Sequence, residues 1–507
     1  MPPKQGPVHL TQHVRKAGCA SKIGQADLKR ILSKLPPVID ANVLLGAAAG
    51  DDAGVYRINE HQSLVQTVDV FTPCVDDPFL FGQIAAANSL SDIYAMGGKP
   101  LTALSIIGFP IDDLDGSIME SILRGGILKL QEAGCALIGG HSLQDEEIKC
   151  GFAITGIMNA ASFVKRDNAK PGDLLVITKP LGTGILSFAA QIGRVTAPAM
   201  EVVSAMMATL NKDAAELMVQ YEANACTDIT GFGLMGHLVE MARNSRVIVE
   251  IDLSKLPVYA AVKHCLKEGI VPGSIERNQE YSMAWVKTLD SADETHLPLL
   301  YDAQTSGGLL VSMSEPNAKR YVEAMHARGH NATSIVGRIA AKASDNQEGE
   351  VRISSTKLEN WIGDSQESSI LFDSLRKAKQ DQPSPELTSM TSVNSCCADA
   401  AGTQSNAAVF SPAIEEKTED NSATLYARFS EMTNEAGLID KRAKKLMAIA
   451  LSVAQKCEPC LVAHLKGALT MNISKAEIDE AAWMGVLFGG SPALVFYRAI
   501  CREVFKS

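Results

Sequence analysis

The sequence predicts an α/β (α+β) fold of two domains, followed by a disordered linker and a small all-α domain. Three observations predict it. Short apolar runs alternate with helical segments from 51 to 160 and again from about 165 to 355, the pattern of layered strands and helices. Between 361 and 420 the chain is rich in Ser, Thr, Asp, Glu, Gln and Pro and poor in large apolar residues, so it has too little to bury to order itself. From 421 to 507 apolar residues return at three-to-four spacing, the period of an amphipathic helix.

Residues 1–50 form an N-terminal segment. A loop over 14–24 holds Gly18, Cys19 and Lys22, and a helix over 25–35 is closed by Pro36 and Pro37. In the domain over 51–160, strands are expected at 63–69, 101–109, 136–139 and 151–159, with helices at 78–96 and 115–133. The strand at 136–139 runs into Gly140-His141-Ser142. In the domain over 161–360, strands are expected at 173–179, 247–251 and 309–312. Helices there cover 182–191 and 198–221, the second with Pro198 in its first turn, where proline is tolerated. The linker carries Cys396 and Cys397. The final domain, 421–507, has helices at 441–456, 475–487 and 493–504; Ala443, Leu446, Met447, Ile449 and Ala450 share a face of the first.

Hydrophobic residues make up 46% of the 507 and charged residues 21%, an ordinary globular balance. A net charge of −11 argues against a nucleic-acid or anionic-membrane surface, and means that any polyanion must be met with metal ions or local cations. The first ten residues have no apolar stretch of the signal-peptide kind, and no run of about 18 apolar residues occurs. The odd count of 11 cysteines, scattered along a long chain, points to reduced thiols in a cytoplasmic setting.

The chemistry-bearing residues are acidic. There is no GxxxxGK[ST] loop; instead Asp51 and Asp52 follow Gly50, Asp69 closes QTVD, Asp92 closes NSLSD, and Asp228 stands in CTDITGFG. Carboxylates at strand ends beside small residues suit a hard divalent cation bridging to phosphates. Asn88 and Asp92 are four apart, on one helix face. Any one aspartate could be a cap or a turn residue, but several in apolar surroundings are too costly to bury without cations. Gly231, Gly233 and Gly236 match GxGxxG, with Glu250 and Asp252 beyond. A dinucleotide site is the competing reading, weakened because residues 223–228 make a poor buried strand.

Seven blocks in order, VRKAGCASKI (14–23), GDDAGVY (50–56), QTVDVFTP (66–73), AANSLSDIYAMGGKP (86–100), GGHS (139–142), TDITGFGLMGHL (227–238) and DAQTSGGLL (302–310), resemble the selenophosphate synthetases. The likeness runs from residue 8 to about 355. It implies the two-domain, aminoimidazole-ribonucleotide-synthetase-like ATP-binding fold, dimerisation through the first domain, and conversion of ATP, hydrogen selenide and water to selenophosphate, AMP and phosphate. By the same resemblance Cys19 and Lys22 are catalytic. Lys22, Ala49, Gly50, Asp51, Asp69, Asp92, Gly139, Gly140 and His141 serve the nucleotide, and Asp52, Asp92 and Asp228 hold Mg²⁺. A monovalent cation is left open. Ser21 stands where such families have a second cysteine, and Ala49 replaces a more polar residue before Asp51. Lys22 beside Cys19 is expected to lower its thiol pKa.

A second constellation is Cys457-Glu-Pro-Cys460 with His464. Pro459 suits a first helical turn, which puts the two cysteines and the histidine on one face at a helix start, where thiolates are favoured. Zinc is the structural alternative, but a single CxxC with one histidine supplies only three ligands. The stretch 446–469 resembles the carboxymuconolactone decarboxylase/alkylhydroperoxidase-D-like family, whose redox members carry this CxxC and histidine. Those members have a glutamate where this chain has Lys445, so the resemblance implies a dithiol/disulfide role and leaves peroxidase activity open. A thiol reductant or a selenium-delivery protein is the partner it suggests. Two other readings stay in view: a related ATP-dependent kinase or synthetase acting on another substrate, against which Cys19 and Lys22 speak, and a redox protein whose first part senses ATP.

Overall fold

The computed structural model describes residues 8–36, 38–46, 51–160, 163–288, 294–344, 348–355, 358–362 and 439–505. Ala49, Gly50, Cys396, Cys397 and nearly all of the expected linker lie outside them. The chain divides into two units, Met1–Asp373 and Ser374–Ser507.

In the first unit, α1 (Gln25–Leu32) precedes a six-stranded sheet of β1 (Val43–Leu45), β2 (Gly54–Arg57), β3 (Gln62–Phe71), β4 (Lys99–Phe109), β5 (Ala136–Gln144) and β6 (Lys149–Asn159), in the order β1-β2-β3-β6-β4-β5. Two helices, α2 (Pro78–Ala95) and α3 (Gly116–Ala133), pack together beside it. Alternation sets the faces: Val65, Phe71, Ile107, Phe152 and Ile154 are buried, while Val68 and Leu104, which flank Ala153 on the opposite face, are exposed. Asp77 caps α2 by accepting from the Leu80 amide at 3.0 Å, and Pro78 occupies its first turn. Helices α2 and α3 approach backbone to backbone. A Cβ on Gly82 would lie 1.8 Å from the Ile122 carbonyl oxygen, and one on Gly125 1.9 Å from that of Phe79.

β5 is longer than the four residues expected. It runs on through Gly139, Gly140 and His141, pairing parallel with β4 (Ser105 opposite Gly140, Ile106 opposite His141) as an exposed edge strand. The apolar run stops at Ile138, but the strand continues because glycine lets β5 lie against Ser105: a Cβ on Gly140 would be 2.0 Å from its hydroxyl oxygen.

The rest of the first unit is built on β7 (Asp173–Ile177), β8 (Ala225–Asp228), β9 (Val247–Asp252), β11 (Val286–Thr288), β12 (Leu309–Ser314), β13 (Ser334–Lys342) and β14 (Glu350–Ser355), ordered β11-β14-β9-β13-β7-β12-β8. A small pair joins β10 (Val258–Tyr259) and β15 (Trp361–Ile362). Its helices are α4 (Thr183–Gln191), α5 (Ala197–Ala208), α6 (Lys212–Gln220), α7 (Gly233–Ser245), α8 (Val262–Lys267), α9 (Ser274–Ser282) and α10 (Glu315–Ala327).

Two expectations are corrected. The helix over 198–221 is two helices, because Thr209 turns extended and the Asn211 side chain is drawn off to donate to the Ser91 hydroxyl and the Gly307 carbonyl, both at 2.9 Å. The poor strand before the glycines is β8, four buried residues antiparallel to β12; tertiary pairing overrides its weak local propensity.

In the second unit α11 (Lys441–Ala454), α12 (Glu458–Thr470) and α13 (Lys475–Val504) enclose Ile449, Val453, Leu461, Leu465, Ile478 and Ala482. Asp440 caps α11, and Ser474 with Glu477 forms a capping box on α13. The two helices expected over 475–504 are joined across Gly490, whose φ of +68° breaks the helical path. Met447, expected on the inward face of α11, is exposed. Among the described residues no helix is long and apolar enough to cross a membrane.

Because a methyl at Gly82 must push α2 off the α3 backbone, Gly82→Ala is expected to cost about 1–3 kcal/mol. The urea midpoint of the first unit should fall accordingly, with reduced activity, since α2 carries site residues.

Candidate active site

Asp52 just ahead of β2, Asp92 in α2 and Asp228 at the end of β8 converge, with one carboxylate oxygen of each within 4.8 Å of the others. Thr227 donates to Asp52 at 2.8 Å, and Thr67 donates to Asp92. Asp52 Oδ2 and Asp228 Oδ2 are buried with no hydrogen-bond partner. Burial first, and then neighbouring carboxylates, lift all three carboxyls. Asp52 is raised well above the usual range by burial, then by Asp228 and Asp51; Asp92 likewise by burial, then by Asp228 and Asp69. Asp228 is pushed up to about 6 by burial, against the opposing pull of Ser91 and Lys22. Buried carboxylate oxygens without donors, close enough to repel, are the donor set a hard divalent cation satisfies. The residues present therefore fit such a cation.

Above this cluster lies the N-terminal segment. Gly18, at φ +61°, bridges to Thr72 through its amide (3.1 Å), and a 3₁₀ turn follows at Cys19–Ser21. The Cys19 thiol is fully buried, donates to Asn88 Oδ1 at 3.6 Å, and its amide donates to Thr305 Oγ1 at 3.1 Å. Lys22 Nζ grips both Asp69 oxygens, at 2.6 and 2.7 Å, and Asn88 Nδ2 donates to the same carboxylate. Burial alone would depress the Lys22 ammonium, but Asp69, Cys19 and Asp92 hold it above its ordinary value. The expected lowering of the Cys19 thiol does not prevail. Lys22 pulls it down, yet burial is larger and pushes it up to about 12.

Asp51 accepts from the Asp52 amide at 3.0 Å and stands outside the group of three; burial raises it and Arg166 opposes. Gly139, Gly140 and His141 are not brought to the aspartates within one chain. β5 is three strands from β3 and Asp69, on the order of 14 Å at sheet spacing. Sequence reasoning gave no role to Thr67, Thr227, His237 or Thr305, although each lies inside or beside a quoted block. His237 accepts from the Thr230 amide at 3.2 Å and burial pushes it down to about 3, so it is a neutral brace for the loop after Asp228. The GxGxxG glycines serve that loop: a Cβ on Gly233, at φ +71°, would lie 2.7 Å from the Tyr301 backbone.

In the second unit Cys457 precedes the first turn of α12 and is disulfide-bonded to Cys460, with Cα atoms 5.3 Å apart. His464 follows one turn on, its Nδ1 3.4 Å from Lys445 Nζ. Burial, then Lys445, lowers the His464 pKa and keeps the ring neutral.

Two sheets meeting at a buried carboxylate cluster place the first unit in a known class. Residues 50–158 match AIR synthase related protein, N-terminal domain, and 170–347 its C-terminal domain; 421–503 match the carboxymuconolactone decarboxylase family. Curated relatives include the selenide, water dikinase of Pelobacter propionicus, 43% identical over 332 residues (66% of this chain, 95% of that protein). That of Geobacter metallireducens is 45% identical over 331 residues (65% and 96%). The chain belongs to the selenide, water dikinase family. Among solved structures, thiamine monophosphate kinase from Aquifex aeolicus is 22% identical with a TM-score of 0.46, over 66% of this chain and 96% of that one.

A carboxyl whose folded pKa exceeds its unfolded value binds its proton more tightly when folded, so ionisation favours unfolding. The cation-free protein should lose stability as pH rises from about 4 to about 6 through Asp228, by on the order of 2–3 kcal/mol. Asp228→Asn should flatten that decline in urea unfolding with chelator present, and should abolish stabilisation by added Mg²⁺. A flat profile in the unsubstituted protein would refute this account.

Proposed function

We propose that the first unit is a selenide, water dikinase, forming selenophosphate, AMP and phosphate from ATP, hydrogen selenide and water, with a thiol-redox domain fused after it. The observation that carries this reading is the Asp52, Asp92 and Asp228 cluster lying under a segment that presents Cys19 and Lys22 together. A kinase for another acceptor has no use for a thiol at that point, and an ATP sensor has no need for the whole carboxylate set.

Mg²⁺ held by Asp52, Asp92 and Asp228 would neutralise the phosphates and assist departure of each phosphoryl group. Lys22, pinned by Asp69, carries a fixed positive charge to the nucleotide, and Asn88 keeps the Asp69 carboxylate oriented for it. Cys19, buried beside Lys22, is the group that would meet selenium. The turn that bears it, closed over a bound nucleotide, would exclude bulk water, as two successive transfers with a single admitted water require.

A homodimer is proposed through the open face of the first sheet, where Val68, Leu104 and Ile138 are exposed. The separation of Gly139, Gly140 and His141 from Asp69 is accounted for if β5 of one copy lines the nucleotide site of the other. Seven buried free cysteines among the described residues support a reducing, cytoplasmic setting. The second unit is proposed to cycle Cys457 and Cys460 between dithiol and disulfide, with a thiol reductant as partner, keeping selenium reduced for the first.

Anaerobic incubation with ATP, Mg²⁺ and selenide, followed by phosphorus NMR, tests the reading. Selenophosphate and AMP are expected from the unsubstituted chain, and a loss of at least about 10²-fold with Cys19→Ala. Selenide-independent turnover to ADP would overturn it. Replacing both Cys457 and Cys460 with serine should slow selenophosphate formation from selenium supplied as a mixed selenium–thiol compound, but not from selenide; equal rates from both sources would remove the proposed link.

A further inference from the structure

The block DAQTSGGLL has no part in the chemistry so far, yet its first five residues make a dense buried network. Asp302 Oδ2 accepts from the amides of Gly184 and Ile185 at 3.1 and 3.2 Å, fixing the start of α4. Gln304 Oε1 accepts from the amides of Gly182 and Thr183 and from the Thr183 hydroxyl, at 2.9, 3.1 and 3.1 Å. Its Nε2 returns to Asp302 Oδ2 at 2.9 Å. The Thr305 amide donates to Thr183 Oγ1 at 2.9 Å. Ser306, at φ +48° in the left-handed region that non-glycine residues rarely enter, donates its amide to Asn88 Oδ1 at 2.8 Å. Asp302, Gln304, Thr305 and Ser306 are all essentially inaccessible. The Thr305 hydroxyl is therefore held at one place by bonds on both sides of it.

That place is the Cys19 backbone. Thr305 Oγ1 accepts the Cys19 amide at 3.1 Å, and its own proton is left for the Cys19 sulfur, on which it acts to favour the thiolate. A Cβ on Gly18 would lie 2.3 Å from this hydroxyl oxygen, so the contact depends on glycine at 18. Asn88 completes the arrangement, its Oδ1 receiving both the Cys19 thiol and the Ser306 amide.

We propose that Thr305 is a positioning residue that seats Cys19, so that the 302–306 loop, just ahead of β12, latches the N-terminal segment beside the carboxylate cluster. The inference rests on the proposed role of Cys19, and its test is readable without that role. In the full-length chain, free of nucleotide and metal, Thr305→Val is expected to raise the rate of Cys19 alkylation by iodoacetamide at least about tenfold, scored by peptide mass spectrometry against buried Cys150 as internal control. Thr305→Ser, which keeps the hydroxyl, should alkylate as the unsubstituted chain does. In the selenide assay Thr305→Val should lower kcat by about 10²-fold with the KM for ATP within about twofold, and Thr305→Ser should restore it. If Thr305→Val fails to fold, Gly18→Ala probes the same contact from the other side and must give the same rise in alkylation. Unchanged Cys19 alkylation in the variant that folds, or a serine variant that behaves as the valine one, overturns the proposal. Absence of selenophosphate from the unsubstituted chain strikes at the proposed function instead and leaves the alkylation result standing.

Discussion

Three clustered carboxylates, Asp228 buried and Asp52 and Asp92 half-buried, are the constraint around which the first unit is organised. Left ionised and unpartnered, each would cost several kcal/mol. The fold meets that cost only in part: Thr227 and Thr67 donate to Asp52 and Asp92, Ser91 supports Asp228, and Lys22 brings one positive charge against Asp69. What remains is a deficit of positive charge, expressed as raised carboxyl pKa values and two oxygens without donors. A chain of net charge −11 has few cations to spare for a polyanionic ligand. The same deficit that would weaken a plain structural core makes this one receptive to metal ions, and through them to phosphates.

Helix α2 is where the constraint becomes architecture. Thirteen of its eighteen residues are buried, so it has no solvent-facing stripe of the kind surface helices carry. Its glycine and alanines permit contact with α3, the first sheet, α5 and β8, and its few polar side chains are therefore forced to find partners inside. Asn88 and Asp92, one turn apart, divide the work: Asp92 joins the carboxylates, while Asn88 ties Asp69, Cys19 and Ser306. A small-residue helix thus carries the joint between the two sheets and the N-terminal segment.

The residues of the cluster were legible in the sequence because each aspartate sits beside small residues in a recognisable block, and because Asn88 and Asp92 obey helical spacing. Their mutual placement was not. The bonds that define the site join residues 286 apart (Cys19 to Thr305), 218 apart (Ser306 to Asn88) and 175 apart (Thr227 to Asp52), and no periodicity reports on contacts of that kind. The same limit explains the misread elements. Residues 225–228 lack strand propensity but are strand because β12 pairs with them, and the helix over 198–221 breaks where Asn211 bonds across to Ser91 and Gly307. The strand expected over 136–139 runs on through Gly140 and His141 to Gln144, since glycine reads as a breaker until a neighbouring strand is seen to need its missing side chain.

The two thiol sites show how environment, and not residue type, sets what a cysteine can do. Cys19 is inaccessible and its thiol is held neutral by burial despite the nearby ammonium, so in the closed arrangement it is protected rather than reactive. Any change that admits charge or water to the cluster acts on it directly, because Lys22 and Thr305 already stand ready to stabilise the thiolate. Cys457 and Cys460 meet the opposite conditions: they open a helix, Cys460 is exposed, and a neutral imidazole follows one turn later. Helix N-termini favour thiolate, so the exchange chemistry proposed for them needs no such opening. With Lys445 in place of a carboxylate beside His464, the ring is kept neutral and has no carboxylate to relay protons to it. That difference supports the proposed dithiol/disulfide role over a peroxidase role, in which a departing hydroxide must be protonated.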